Sequence, residues 1–450
     1  MTQIFALHSA YGLATAAAAI DGGLLGTTGE RVLVPFTSSR IPEISRSIGA
    51  DPALRSLRER FDRIEDLDEL LGATHLSSWR PRDSDLPMLE RLLTRAWGLD
   101  RRDIELFVQS PQVAPARTLM TLFPGASVTI VGDGLMTYSP MRVKLPHTIA
   151  ARIVRVVHAD VVPGVTPLVG APHASAVPVP AALFGTVLAE TDAGETPDRG
   201  PLDAEAPTVL VLGQYLAALG LVTEAEEVAM QVEMIDRAVS WSPQRIVFKP
   251  HPAAPPRFTD ALRSRAAFHD VEFAEYRGPL AAELLAERLD ALAVVAGFST
   301  ALPTVLALQG REIGSAGNET VLSRLTPFEN SNRIPATIVD ALTRTDDRWT
   351  DAGALQHLID AVGYVMQPEI AGHLRPRAEQ LLRTLEQAER DRYFAPARLT
   401  ALRLPGAPAP TPVQRVLQPA GGIGRVEELR LTALGVGRRA GRAWKAIRGR

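Results

Sequence analysis

Short runs of β-branched and apolar residues recur along this chain, and each stops at glycine, proline or a polar pair before a helical stretch begins. Residues 4–7 (IFAL), 31–36 (RVLVPF), 104–108 (IELFV) and 126–131 (ASVTIV) have this character, with helices expected over 13–20, 42–48, 53–60 and 115–123; residues 65–71 are rich in acids and leucine. The alternation resumes at 208–212 (TVLVL), 245–248 (RIVF), 271–273 (VEF) and 289–295, with helices expected over 224–239 and from 279, Pro279 standing in the first turn. Continuous apolar strands alternating with helices mean parallel sheets covered on both faces. Between the two series, residues 191–207 (TDAGETPDRGPLDAEAP) are polar, acidic, rich in proline and glycine, and aperiodic, as a linker is.

The expected fold class is therefore α/β: two Rossmann-like domains facing a central cleft, with a helical C-terminal extension. The divisions are 1–190, the linker 191–207, a second domain 208–345, a helical segment 346–403 clearest over 354–362 and 373–387, and a flexible spacer and basic tail 404–450. A length of 450 residues suits this division. A cleft between two such domains is a common place for a small-molecule site.

Several function classes are excluded at this level. The chain has no cysteine, so disulfides, thiolate zinc sites and cysteine nucleophiles are ruled out. Its nine histidines show no HxxxH or HExxH spacing, and no metal site is expected. A net charge of -3 gives no reason to expect a nucleic-acid partner. The first 20 residues lack a basic start, and His8, Ser9 and Tyr11 interrupt their apolar run, so they are not read as a signal peptide. No stretch of about 18 apolar residues is present, so no spanning helix is expected and the expected compartment is the cytoplasm. The tail carries Arg438, Arg439, Arg442, Lys445, Arg448 and Arg450 with Trp444 and Ile447 interleaved. It is either a peripheral contact with the inner face of the membrane or an anionic polymer, or a solvated helix.

Three strand ends carry residues suited to chemistry. The run 245–252 (RIVFKPHP) delivers Lys249 and His251 where Pro250 and Pro252 end a buried strand. In open parallel sheets that end faces the ligand crevice, and a fixed cation beside an imidazole suits a phosphate leaving group; a loop with a solvent-facing histidine is the other reading. Gly132-Asp133-Gly134 follows the strand 126–131 and is either a turn or a catalytic carboxylate on a tight loop. In 297–300 (GFST), Ser299 and Thr300 open a helix, where hydroxyls and free N–H groups either cap the helix or hold an anion.

In this order, Gly132-Asp133-Gly134, His251-Pro252 and Ser299-Thr300 resemble the bacterial sialyltransferases and polysialyltransferases, which share an acidic-acidic-Gly motif, a His-Pro motif and a later Ser-Ser or Ser-Thr motif. The stretch around Gly213 and Gln214, and Glu283 within 279–285, resemble the nucleotide-binding domain of that family, and the similarity covers about residues 1–345. The resemblance implies a GT-B fold and an inverting glycosyl transfer that needs no cofactor. The donor is a CMP-activated sialic acid or a related ulosonic acid such as Kdn or Kdo, and the acceptor a glycan of a cell-surface polysaccharide. It further implies Asp133 as base and His251 at the departing phosphate. Lys249, Pro252, Ser299, Thr300, Gly213 and Gln214 would line the donor side, Glu283 would lie near the ribose, and Ser9, Gly132 and Gly134 would lie on the acceptor side. Gly132 stands where the family pattern has its first acid, so Asp133 is the one acid left in the motif. Another nucleotide donor, an epimerase of the same architecture, or a catalytically impaired relative are the alternatives.

Overall fold

The structure is a computed structural model that describes residues 1–26, 29–37, 47–72, 76–192, 206–218, 220–251, 254 and 259–408. Pro252, residues 42–46 of one expected helix, 193–205 of the linker and the tail from 409 lie outside the described residues.

The first series of apolar runs forms a parallel sheet. Its strands are β1 (Thr2–Leu7), β2 (Glu30–Pro35), β3 (Arg63–Ile64), β4 (Ile104–Val108), β5 (Ser127–Val131), β6 (Ile153–Ala159) and β7 (Ser175–Val179). Their order is β3-β2-β1-β4-β5-β6-β7, every neighbouring pair being parallel. The second series gives β8 (Thr208–Leu212), β9 (Arg245–Lys249), β10 (Glu272–Glu275), β11 (Ala293–Ala296) and β12 (Glu312–Ser315), ordered β10-β9-β8-β11-β12. These strands are also parallel. In both sheets the winding reverses beside the first strand, between β1 and β4 and between β8 and β11. Such a reversal splays the connecting loops apart and opens a crevice at the carboxyl ends of the strands.

Helix starts depart from the sequence reading in two places. Pro279 precedes its helix, which spans Ala282–Arg288. The run 289–295 is divided: Leu289 ends that helix, Asp290 turns with φ 45°, and only Ala293–Ala296 pairs in the sheet. Apolarity alone does not separate the last turn of a buried helix from the strand that follows it.

The C-terminal helices tie the two sheets together. The helix Ala352–Met366 buries Leu358, Ile359, Val362, Val365 and Met366, and its Gln356 accepts a 2.6 Å hydrogen bond from the Thr166 N–H of the first domain. The helix Arg333–Thr343 carries Asp340, 2% exposed, whose carboxylate accepts from Arg392 at 2.6 and 2.7 Å and from the Tyr393 hydroxyl at 2.8 Å. One apolar cluster runs from Leu13 and Phe184 through Leu302 and Val305 to Leu358, so the domains share a core across the cleft. Among the described residues, no helix is long and apolar enough to cross a membrane.

Candidate active site

The carboxyl ends of β1, β4 and β5 bring His8, Ser9, Gln109 and Asp133 together. Asp133 leaves β5 on a loop pinned from below, its own N–H donating to Thr137 Oγ1 at 2.7 Å. Its Oδ1 accepts from Ser9 Oγ at 2.8 Å. Ser9 is the N-cap of the helix Ala10–Asp21, with extended backbone, and its oxygen accepts from the Gly12 N–H at 3.0 Å. A cap residue of this kind satisfies an open N–H of the first helical turn. His8 stacks obliquely on Phe36 and its Nε2 lies 3.1 Å from Ser110 Oγ. Burial lowers its proton affinity below the ordinary histidine value, against the pull of the nearby Asp133 charge.

The glycines flanking Asp133 are set by packing. A Cβ on Gly132 would sit 2.8 Å from Thr137 Oγ1 and 3.0 Å from the Cβ of buried His158. An acid at that place therefore needs both neighbours to move, and Asp133 is the carboxylate this loop presents. Gly134 has φ +55°, a left-handed conformation that favours glycine, and a Cβ there would meet Thr300 at 2.7 Å.

That last contact crosses the cleft. Thr300 and Ser299 stand between β11 and the helix Ala301–Gln309, and Thr300 Oγ1 accepts a long hydrogen bond, 3.4 Å, from the Leu135 N–H. Ser299 Oγ accepts from the Ala301 N–H at 3.2 Å, satisfying one open N–H at the helix start, while the N-cap itself is Thr300. Beside it, Gln214 Oε1 accepts from the Phe298 N–H at 2.8 Å, bridging the reversal point between β8 and β11. The Gly213 N–H donates to Lys249 O at 2.9 Å. A second crossing is made by Ser139 Oγ, which donates to Ser331 O at 2.9 Å.

Lys249 and His251 lean toward different neighbours. Lys249 Nζ donates to Gly278 O at 3.0 Å and lies 5.0 Å from the Tyr276 ring centre. Burial pulls its proton affinity down, and the charge of Glu283 pulls it up. Glu283, 8% exposed, is pushed above the usual carboxylate range by burial, with Lys249 opposing. His251 is exposed and faces Glu227, whose carboxylate holds the Leu216 and Ala217 N–H groups at 2.8 Å; partial desolvation lowers the imidazole below its ordinary value.

Three residues at this site escaped the sequence reading: His8, described above, Gln109 and Tyr11. Gln109, wholly buried at the end of β4, touches Ser9 and the β1 turn. Tyr11 stacks near Phe184 and places its hydroxyl beside Thr304 of the second domain; burial, with the charges of Glu283 and Asp133, keeps that hydroxyl protonated. Only the pairing of β1 with β4 brings Gln109 in, and nothing in the local sequence around 109 marks it.

The family model described as alpha-2,8-polysialyltransferase (POLYST) matches residues 3–307, from β1 to the helix Ala301–Gln309, and so includes all of these motif residues. The chain belongs to that family. It is a glycosyltransferase, and its two parallel sheets are those of a GT-B fold. No curated protein is matched by the chain. Among solved structures, this polysialyltransferase-family chain is similar to S. aureus MnaA in a co-structure with UDP, at 11% identity and TM-score 0.42, covering 82% of this chain and 98% of that one. It is similar to UDP-GlcNAc 2-epimerase from Neisseria meningitidis bound to UDP-GlcNAc, at 10% identity and TM-score 0.42, covering 83% and 94%. The GT-B domain of a sialyltransferase from Photobacterium damselae, residues 113–497, aligns at 12% identity and TM-score 0.37, covering 75% and 96%.

Proposed function

We propose that this glycosyltransferase moves a sialic acid, or a related ulosonic acid such as Kdn or Kdo, from a CMP donor to a glycan hydroxyl, with inversion and without a metal cofactor, in making cell-surface polysaccharide. The observation that carries the reading is the meeting of the Asp133 loop with Thr300 across the cleft. In the proposed step the acceptor hydroxyl gives its proton to Asp133 as its oxygen bonds the anomeric carbon. The carbon–oxygen bond to phosphate breaks on the opposite face, and the electron pair leaves with CMP. His251 donates a proton or hydrogen bond to that phosphate, and the N–H groups at the start of the helix Ala301–Gln309 add an anion-stabilising field. Lys249 and Glu283 would meet the nucleoside, with Gly213 and Gln214 shaping the floor. Peripheral association with the inner face of the cytoplasmic membrane through the basic tail belongs to the same proposal.

Gly132 motivates a second reading, a relative that binds nucleotide without turnover. Calorimetry tests the shared part of the two. Before CMP binds, burial holds His251 below its ordinary value, whereas a bound phosphate favours the imidazolium. CMP binding at pH 7 to 8 is therefore expected to take up protons, read from heats in buffers of different ionisation enthalpy. The uptake fades as pH falls below the free-state value, where the ring is already charged, and it disappears in His251→Asn. Tighter retention of UDP than of CMP would overturn the assignment of the donor.

A further inference from the structure

Every hydrogen around Ser9 has a fixed direction, and the direction begins at the backbone. Gln109 Oε1 accepts from the N–H groups of His8 at 2.8 Å and Ser9 at 3.2 Å, which can only donate. The side-chain oxygen of Gln109 therefore faces the β1 turn, and its Nε2 faces Ser9 Oγ at 3.0 Å. The Gly12 N–H, another obligate donor, approaches the same hydroxyl oxygen at 3.0 Å. A hydroxyl accepts two hydrogen bonds and donates one. With both acceptor places of Ser9 taken, its one hydrogen is left for Asp133 Oδ1 at 2.8 Å.

From this we infer that Gln109 and Ser9 are positioning residues for the base, and that Asp133 takes up the acceptor's proton on Oδ2, because Oδ1 is committed to a hydrogen bond from Ser9. The inference rests on the reading of Asp133 as base given above. Oδ2 makes no hydrogen bond among the described residues. Fixing Oδ1 also fixes the plane of the carboxylate, so Oδ2 points one way before any substrate arrives. The chain has shaped itself around this relay. Gly12 lies inside the helix Ala10–Asp21, and a Cβ there would come within 1.9 Å of Gln109 Nε2. A glycine in a helix interior lowers helix stability relative to alanine, and here it makes room for the buried amide.

The test compares Ser9→Gly, Ser9→Thr and Asp133→Asn in the full chain, with CMP-N-acetylneuraminate as donor and an α-2,8-linked oligosialic acid as acceptor. Glycine is tolerated at a helix N-cap with little loss, so Ser9→Gly removes the hydrogen to Oδ1 and leaves the helix; melting curves confirm folding. The expected result is a kcat lowered by about 10- to 100-fold, the size of a lost hydrogen bond to a charged group, with the donor KM within about twofold. Ser9→Thr keeps the hydroxyl and the cap and restores most of the rate. A wild-type kcat in Ser9→Gly beside an inactive Asp133→Asn overturns the relay and leaves the base assignment standing. A loss in Ser9→Gly that Ser9→Thr does not restore also overturns it, since threonine supplies the same hydrogen to Oδ1. Full activity in Asp133→Asn overturns the base assignment and the relay with it.

Discussion

Asp133→Asn is expected to lower kcat by about 10³-fold, the usual scale of a lost general base, while leaving CMP affinity within about twofold. The two effects separate because Asp133 stands at the end of β5 in the first sheet, whereas the donor-side residues stand at the ends of β8, β9 and β11 in the second. Asparagine keeps the shape of the side chain and can still accept from Ser9, so the fold and the loop are retained. The loop offers no substitute acid. Gly132, which occupies the place of the family's first acidic residue, is packed so closely on Thr137 and His158 that a side chain there needs both to move. Gly132→Asp in the Asp133→Asn background is therefore expected to leave the rate low. Steady-state release of CMP, measured beside calorimetric CMP binding, checks both parts.

Asp340→Ala is the largest expected effect on stability, about 3–5 kcal/mol and roughly 5–10 °C in melting temperature. The carboxylate is almost fully buried in the helix Arg333–Thr343 and receives three hydrogen bonds, two from the Arg392 guanidinium and one from the Tyr393 hydroxyl. Removing it leaves a partly buried guanidinium whose other partner, Glu319 at 3.3 Å, is exposed. The surface pair Arg375–Glu379, spaced i,i+4, provides the contrast: Glu379→Ala is expected to change stability by less than about 1 kcal/mol. Thermal unfolding of the two variants measures the difference. Equal shifts would mean that the last helices contribute little to holding the two sheets together.

Much of the scaffold was legible because its strands are buried on both faces. β1, β4, β5, β8 and β9 fall on the apolar runs within a residue or two, since a strand covered by helices has no polar alternation to disguise it. Between 141 and 190 the sequence reading assigned no element, although β6, β7 and the helix Ala181–Ala189 lie there. β7 is half-exposed and contains Pro178, which weakens its local signal. The return of the helix Ala352–Met366 to the first domain is a tertiary choice that helical periodicity does not encode. At the site, the glycines and hydroxyl residues at strand ends were visible as motifs. The Gln109 amide was not, because a glutamine following a strand has no chemistry until β4 pairs with β1. Lys249 and His251 were legible together at one strand end, but their surroundings were not: Lys249 lies against Gly278 and Tyr276, and His251 feels the charge of Glu227.

The most direct test of CMP-sugar transfer at this cleft is acceptor-dependent release of CMP from a panel of CMP-N-acetylneuraminate, CMP-Kdn and CMP-Kdo, run beside UDP- and GDP-sugars. Release of CMP from one of the first three, multiplied by a glycan acceptor and lost in Asp133→Asn and His251→Ala, is the predicted result. Turnover of a UDP- or GDP-sugar with no release from any CMP-sugar, or full activity in both variants, would contradict it.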